Sequence, residues 1–488
     1  MRSPYLLFLG LLVACTPEKT LGSDSGGEDT TPVSNDEAEC TEDVECSSWQ
    51  ICESNVCIDG DRNNATEEAE AITVDADDAL DRHINTAGDV DYFSFDSGGG
   101  EFIFALTDAH DDVSSSVFVP DTFLTLYAPD GTIVTTADDF PNGGSVNNMD
   151  SALWAYLSQA GTYILEVKDA NPVKGNDAWG GQNFTYELSV STWNQATYGG
   201  STMAEPFLFG EDGLALQENT LYAVGVVLEE EGQVDYVQIN FPYDNAGLYV
   251  DGISDLQGSD ANPKASIMTM DGTLMAQRDE VGPYDGVFYP NMGEGPVMVA
   301  IEDADGGGGS NHWAVLIIKA MDEGGAYTEE AEPNDVDVQA SEIEMTQREN
   351  GSGKVYFDGT QWGAMSSPGD VDYFKIEVDG SETVETEDGD EVQYLVVCMN
   401  SGRWGSTIAP DLTAYAADGT ELMTSAGDVD NTPDNRLENV ALTPGEPVYV
   451  SVTAGPESLG TPDEWYMIKA YVASFSVTSY EEGGYSCP

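Results

Sequence analysis

The hexapeptide Gly-Asp-Val-Asp-Tyr-Phe occurs at residues 88–93 and again at 369–374, and a degraded copy, Gly232-Gln233-Val234-Asp235-Tyr236, lies between them. A second landmark follows each in the same order. Leu124-Thr125-Leu126-Tyr127-Ala128-Pro129-Asp130-Gly131 returns as Leu412-Thr413-Ala414-Tyr415-Ala416-Ala417-Asp418-Gly419, and faintly as Ser266-Ile267-Met268-Thr269-Met270-Asp271-Gly272. Landmarks that recur in order make the chain a tandem array of one module used three times. Between them apolar residues alternate: Phe374, Ile376 and Val378 share one face, with Lys375 and Glu377 on the other. That period belongs to half-buried strands, and the Asp-Gly pairs at Asp130, Asp271 and Asp418 mark hairpin turns. No long stretch has helical spacing. The expected fold is therefore all-β, with three antiparallel β-sandwiches in series at 66–193, 203–320 and 327–476.

The N-terminus carries Arg2, an apolar run from Tyr5 to Val13, and Leu12-Val13-Ala14-Cys15. It resembles a bacterial lipoprotein signal, too short to span a bilayer as a helix. Residues 1–15 are thus expected to act as an export signal, with Cys15 the acylated residue and the cell envelope, outer membrane or cell surface as the destination. Residues 16–39 are nearly devoid of apolar side chains and read as an acidic tether. Six cysteines remain beyond Cys15. In an exported chain an even number points to disulfides. Cys40, Cys46, Cys52 and Cys57 lack zinc-site spacing and predict a small knot at 40–60, while Cys398 and Cys487 are expected to staple the tail, 477–488, onto the third module. Acidic residues outnumber basic ones 90 to 15, a formal charge of −75. Such a field excludes nucleic acid as a partner and suits either a saline habitat or the binding of divalent cations.

The string Glu330-Ala331-Glu332-Pro333-Asn334-Asp335, the later Gly-Asp-Val-Asp-Tyr-Phe, the Leu-x-x-Tyr strand with its Asp-Gly turn and the closing Pro444-Gly445-Glu446-Pro447-Val448-Tyr449-Val450 resemble the bacterial pre-peptidase C-terminal domain. The resemblance implies a jelly-roll-like β-sandwich, appended in that family to exported enzymes or found in non-enzymatic surface proteins. In the family's collagen-binding members it also implies Ca²⁺ held by the acidic linker and by acids before the Tyr-Phe strand: here Glu330, Glu332, Asn334, Asp335, Asp370 and Asp372. Alternate side chains of an extended strand project to one side, so Asp370 and Asp372 can converge, and Ca²⁺ takes six to eight oxygens. In the first module Glu68, Glu70, Asp89 and Asp91 form a weaker set, with Ile72 and Thr73 in place of the Asn-Asp pair. The second retains only Glu205 and Asp235, with Gln233 in place of the first strand acid, and is expected to hold no cation.

Three histidines, His83, His110 and His312, belong to no zinc-protease motif, and the chain has no nucleophile elbow and no phosphate-binding loop. Trp179, Trp362 and Trp404 stand among glycines and are candidate loop platforms for a sugar or peptide. The sequence thus reads as a non-enzymatic, lipid-anchored, calcium-stabilised surface protein for adhesion, substrate capture or structural display, with an extracellular protein or polysaccharide as ligand. The alternatives are an accessory subunit of an exported peptidase or other hydrolase, and a purely architectural spacer.

Overall fold

A computed structural model of the chain describes most of residues 50–473. Residues 1–49, 474–488 and several internal stretches, the longest 109–119, 139–149 and 426–434, lie outside the described residues, and with them Cys15, Cys40, Cys46, Cys487 and His110. Strands dominate throughout. A short hairpin, Gln50–Glu53 with Val56–Asp59, sets Cys52 opposite Cys57, and Cys52, Cys57 and Cys398 are each disulfide-bonded.

Three two-sheet sandwiches follow. In the first, a five-stranded sheet runs in the spatial order Glu70–Ala71, Val90–Ser97, Gly161–Asp169, Thr122–Tyr127, Ile133–Ala137. It faces a four-stranded sheet ordered Leu80–His83, Thr185–Asn194, Glu101–Asp108, Ala152–Leu157. The second repeats this order with Phe207–Phe209, Val234–Phe241, Gly295–Asp303, Pro263–Met268, Leu274–Arg278 facing Leu221–Val227, Trp313–Met321, Ala246–Ile253, Val287–Met292. The third has Ser341–Ile343, Val371–Ile376, Val448–Thr453, Asp411–Tyr415, Glu421–Ser425 facing Val355–Ala364, Trp465–Ala473, Glu391–Asn400, Arg436–Leu442; three short strands widen the second sheet. Pairing is antiparallel except at the short strands that open each five-stranded sheet and at Thr328–Glu329, which run parallel to their neighbours.

Matching backbone hydrogen bonds fix residue correspondence between modules. Ile84 N to Phe184 O, Leu228 N to His312 O and Met365 N to Glu464 O, each 2.7–2.9 Å, are one bond in three copies. The hairpin turns agree: Thr132, Thr273 and Thr420 each donate the backbone N–H to Asp130, Asp271 and Asp418, and the following Gly131, Gly272 and Gly419 sit at φ of +83°, +87° and +81°.

Each sandwich buries the inner faces of its two sheets, as alternation requires. Phe374, Ile376, Val450, Val452, Leu412 and Ala414 meet Tyr466, Ile468, Ala470 and Val472 in the third module. The four-stranded sheets depart from alternation. Trp313-Ala314-Val315-Leu316-Ile317-Ile318 is apolar without a break, and every one of its side chains is buried. Ala314, Leu316 and Ile318 face the core of the second module, while Trp313, Val315 and Ile317 meet Phe102, Phe104, Trp154 and Trp193 of the first. A continuous apolar run therefore marks a sheet covered on both faces.

Candidate metal centres

In the third module the linker entering the sandwich lies against the start of Val371–Ile376. Asn334 O accepts the Tyr373 N–H at 3.0 Å, which lays the linker along the strand. Glu330, Asn334, Asp370 and Asp372 are all buried, while Glu332 and Asp335 are exposed at the rim. One carboxylate oxygen from each of Glu330, Glu332 and Asp372 lies within 4.8 Å of the other two. Glu330 accepts from Asn334 Nδ2 at 2.9 Å, the Ala364 N–H at 2.8 Å and the Tyr466 hydroxyl at 3.0 Å, and that hydroxyl also lies 2.5 Å from Asp372 Oδ2. Asp370 Oδ2 accepts the Ser366 N–H at 2.5 Å.

Acceptors outnumber donors here. Asp372 Oδ1 and Asn334 Oδ1 are buried and accept no hydrogen bond. Buried oxygens are rarely left so, because an unmet acceptor forfeits its solvation without return. The electrostatics say the same: burial pushes Glu330 up to about 7, and burial with the neighbouring Glu330 charge pushes Asp372 up to about 9. Burial, then the charges of Asp370 and Asp335, also raises Glu332. Asp335 is raised chiefly by the side chain of Asp370 beside it. With no cation to offset the charge, burial and mutual repulsion favour the protonated forms of Glu330 and Asp372. A donor set made only of carboxylate and amide oxygens, with orphaned acceptors at its centre, fits a hard divalent cation such as Ca²⁺.

The first module has the same arrangement through residues that a search for a Glu-x-Glu pattern misses. Tyr92 donates its N–H to Asn63 O at 2.8 Å, as Tyr373 does to Asn334, so Asn63 corresponds to Asn334 and Asp61 to Glu332. Asp61, Asp89 and Asp91 bring one oxygen each within 4.8 Å of one another. The Tyr186 hydroxyl reaches Asp91 at 2.5 Å, as Tyr466 reaches Asp372, and Asn85 donates its N–H to Asp89 at 2.7 Å and its side-chain amide to Asp61 at 2.8 Å. Asn63 Oδ1, Asn85 Oδ1 and Asp91 Oδ1 are buried without a hydrogen bond. Burial and the Asp61 charge push Asp89 up to about 6 and raise Asp91 well above the carboxylate range. Glu68 and Glu70 are elsewhere. Glu68 is exposed on the one-turn helix Thr66–Glu68, and Glu70 forms a two-pronged ion pair with Arg82. The sequence signal was Asp61-Arg62-Asn63-Asn64, with Asp for Glu and Arg for Pro. Ile72 and Thr73 lie past the site.

The second module keeps Asp235, 7% exposed, but loses its company. Gln233 stands at the position of Asp89 and Asp370, and Ala314 at that of Tyr186 and Tyr466. Gln233 Nε2 lies 3.0 Å from both Asp235 oxygens. A neutral amide thus supplies hydrogen-bond donors to the carboxylate where the other two modules gather acids. Glu205, at an isolated bridge with Thr202, is exposed.

The tryptophans divide. Trp179 is 40% exposed beside Phe184. Trp362 is not in a loop: it lies within Val355–Ala364, is 5% exposed, and packs into the core cluster of the second module. Trp404 is half-buried against Tyr249 and Phe288 of that module, at 5.9 and 5.7 Å. Both serve a joint between modules, Trp362 from the outer face of a covered sheet and Trp404 from the loop that follows Glu391–Asn400. His83 lies in a sheet strand opposite Thr185, its pKa lowered by burial, and His312 Nε2 is 4.0 Å from Asp303.

The repeated tyrosines converge instead. Tyr373 and Tyr415, from the two landmark motifs, project half-buried from the outer face of the five-stranded sheet with ring centroids 6.1 Å apart, and Tyr449 is in register with Tyr415 and Lys375. In the first module Tyr92 and Tyr127 flank the buried Glu166, which accepts from Tyr127 at 2.8 Å and pairs with Lys168 at 2.7 Å.

No protein-family model and no curated protein matches the sequence. Among solved structures the chain is similar to the tandem CBM51 modules of the family 98 glycoside hydrolase from Streptococcus pneumoniae, at 11% identity over 57% of this chain and 93% of that one, TM-score 0.16. It is also similar to the CUB1-EGF-CUB2 domain of human MASP-1/3, at 8% identity over 52% and 99% of the two chains, TM-score 0.15. A third similarity is to the CBM22-1-CBM22-2 tandem domain of Paenibacillus barcinonensis Xyn10C, at 12% identity over 54% and 89%, TM-score 0.15.

Proposed function

We propose that this chain is a non-enzymatic, lipid-anchored binding protein of the cell envelope whose first and third modules are each closed by one Ca²⁺ ion. The observation that carries the reading is the pair of acid clusters with buried, unbonded acceptor oxygens, set against the second module, where an amide replaces an acid and no such oxygen remains on Asp235. Glu330, Glu332, Asn334, Asp370 and Asp372 would hold the ion in one module and Asp61, Asn63, Asp89 and Asp91 in the other. Bound there, Ca²⁺ would supply the positive charge that lets these buried carboxylates ionise and would fasten each entry linker to its sandwich. The motifs shared with the pre-peptidase C-terminal family support this assignment.

The ligand surface in this reading is the outer face of the five-stranded sheets. Tyr373, Tyr415 and Tyr449 offer flat rings with hydroxyl edges, a combination that suits stacking and hydrogen bonding to an extended extracellular polymer. A formal charge of −75 turns away polyanions and leaves uncharged polysaccharide or protein as the matching chemistry. Calorimetric titration of the whole chain with CaCl₂ after chelator treatment tests the cation sites. Two saturable sites per chain are expected, one lost in Asp372→Asn and the other in Asp91→Asn. A chain that takes up no Ca²⁺, or loses nothing in these variants, refutes the reading.

A further inference from the structure

A second repeated motif escapes a search for strand landmarks. Ser254-Asp255-Leu256-Gln257-Gly258-Ser259 and Ser401-Gly402-Arg403-Trp404-Gly405-Ser406 share Ser-x-x-x-Gly-Ser at the same place in modules two and three. In both loops the N–H groups of the fourth and sixth residues bond to the first residue's carbonyl, at 2.9 and 3.2 Å in one and 3.0 and 3.1 Å in the other. The closing serine hydroxyl accepts the N–H of the tryptophan that opens the last strand, Trp313 at 3.0 Å and Trp465 at 3.2 Å.

Both loops reach back to the preceding module at equivalent points. Gln257 Oε1 accepts the Trp154 N–H at 3.1 Å, and Trp404 packs on Phe288, the residue equivalent to Trp154. Gly258, at φ +85°, presses against Val134 and Thr135 on the edge strand Ile133–Ala137, where an added Cβ would lie 2.8 Å from Val134 O. Gly405, at φ +99°, presses against the edge strand Leu274–Arg278 and Val287, where a Cβ would lie 2.7 Å from Val287 and 2.9 Å from Gln277 O. Gly405 O accepts the Gln277 N–H at 2.8 Å, a backbone bond between modules. The two tryptophans complete the joints: Trp313 lies 6.0 Å from Phe102, and Trp465 lies 6.2 and 6.0 Å from Phe288 and Tyr289.

We infer that the Ser-x-x-x-Gly-Ser loop with its tryptophan is a stacking latch whose partner is the preceding module, and that it joins the three sandwiches into one rigid, ordered array. Order is written into the joints by an exchange of bulk. At the first joint Phe102 of the upstream module sits over Gly225, where a Cβ would fall 2.2 Å from the ring. At the second joint the upstream position of Phe102 is Gly247, and the position of Gly225 is the buried Trp362. At these equivalent positions the bulky residue belongs to the upstream module at the first joint and to the downstream module at the second, so the joints are not interchangeable. Each module is then held by its neighbour's face, as in arrays stabilised by nearest-neighbour interfaces.

Hydrogen exchange on the full-length wild-type chain reads the joints directly, because the Gln277 and Trp154 amides are donated across them. Both amides should exchange more than about 100-fold slower than an unprotected backbone amide, and Trp404→Ala should speed Gln277 at least about 10-fold while leaving Trp154 unchanged. Gly225→Leu should do the reverse, opening only the first joint. Small-angle scattering of each variant should show a larger maximum dimension than the wild type. Unprotected Gln277 and Trp154 amides in the wild type, or scattering of independently tumbling modules, would overturn the latch without any variant having to fold. Unchanged protection in both variants would overturn the assignment of these residues.

Discussion

Asp372→Asn is the substitution with the largest and most specific consequence. Asp372 is fully buried beside Glu330, with one oxygen on the Tyr466 hydroxyl and the other unbonded, and its pKa is raised to about 9. A carboxyl raised above its unfolded value of 3.8 holds its proton longer in the fold, so the stability it confers is fully present below pH 4 and is lost as pH rises towards 9. Between those limits each pH unit removes about 1.4 kcal/mol through this one group. From pH 5 to pH 7 the cation-free chain should therefore lose on the order of 3 kcal/mol, or roughly 5 to 10 °C for a unit the size of one module. Asparagine cannot ionise, and its amide brings a donor to the unbonded oxygens, much as Gln233 does in the second module. In chelator, scanning calorimetry should find the variant melting above the wild type at pH 7 and close to it at pH 5. With saturating Ca²⁺ the order should reverse, because only the wild type gains. A wild-type melting temperature that is flat from pH 5 to 7 in chelator, or a variant that melts lower at pH 7, would refute the account of the site.

The residue correspondence in the first module has its own test: Asp61→Asn should abolish one of two Ca²⁺ sites in a calorimetric titration, whereas Glu68→Ala should leave both. Replacing Gln233 by Ala strands Asp235 without its two amide contacts and should cost about 1–3 kcal/mol in chemical denaturation, unrelieved by Ca²⁺. The double variant Tyr373→Ala, Tyr415→Ala should cut retention of the chain on an uncharged polymer at least about tenfold in affinity electrophoresis, with the Ca²⁺ titration unaltered; equal retention would move the ligand surface elsewhere.

Where the chain alternates, its fold is legible: Phe374 and Ile376 inward with Tyr373 and Lys375 outward is what the structure shows, and the three Asp-Gly turns lie where the sequence marks them. The linker of the third module was equally readable, since Glu330-Ala331-Glu332-Pro333-Asn334-Asp335 is a compact string and its residues gather as their spacing allows. Its counterpart was hidden because a carboxylate oxygen from Asp does the work of one from Glu, so the match to Glu68 and Glu70 settled nine residues too late. Nor can sequence order show Tyr186 and Tyr466, which come from the opposite sheet and reach the acids only across the sandwich. Trp362 and Trp404 misled for a related reason: a glycine-rich setting suggests an exposed loop, yet glycine beside Trp404 serves close approach to another module.

The second module makes sense of these differences together. It alone is joined on both sides, meeting Phe102 and Trp154 upstream with Trp313, Val315 and Ile317, and Trp362, Trp404 and Trp465 downstream with Tyr249, Phe288 and Tyr289. It is also the module in which Gln233 replaces a strand acid and Met268 replaces the landmark tyrosine. Large apolar interfaces on both sides supply stability of a kind that a cation or a proton would otherwise have to provide, since each fully buried large side chain contributes about 1.5–3 kcal/mol. A module so held can give up its acid cluster. The two modules that keep the cluster are the ones that meet a neighbouring sandwich on one side, and there the acids remain.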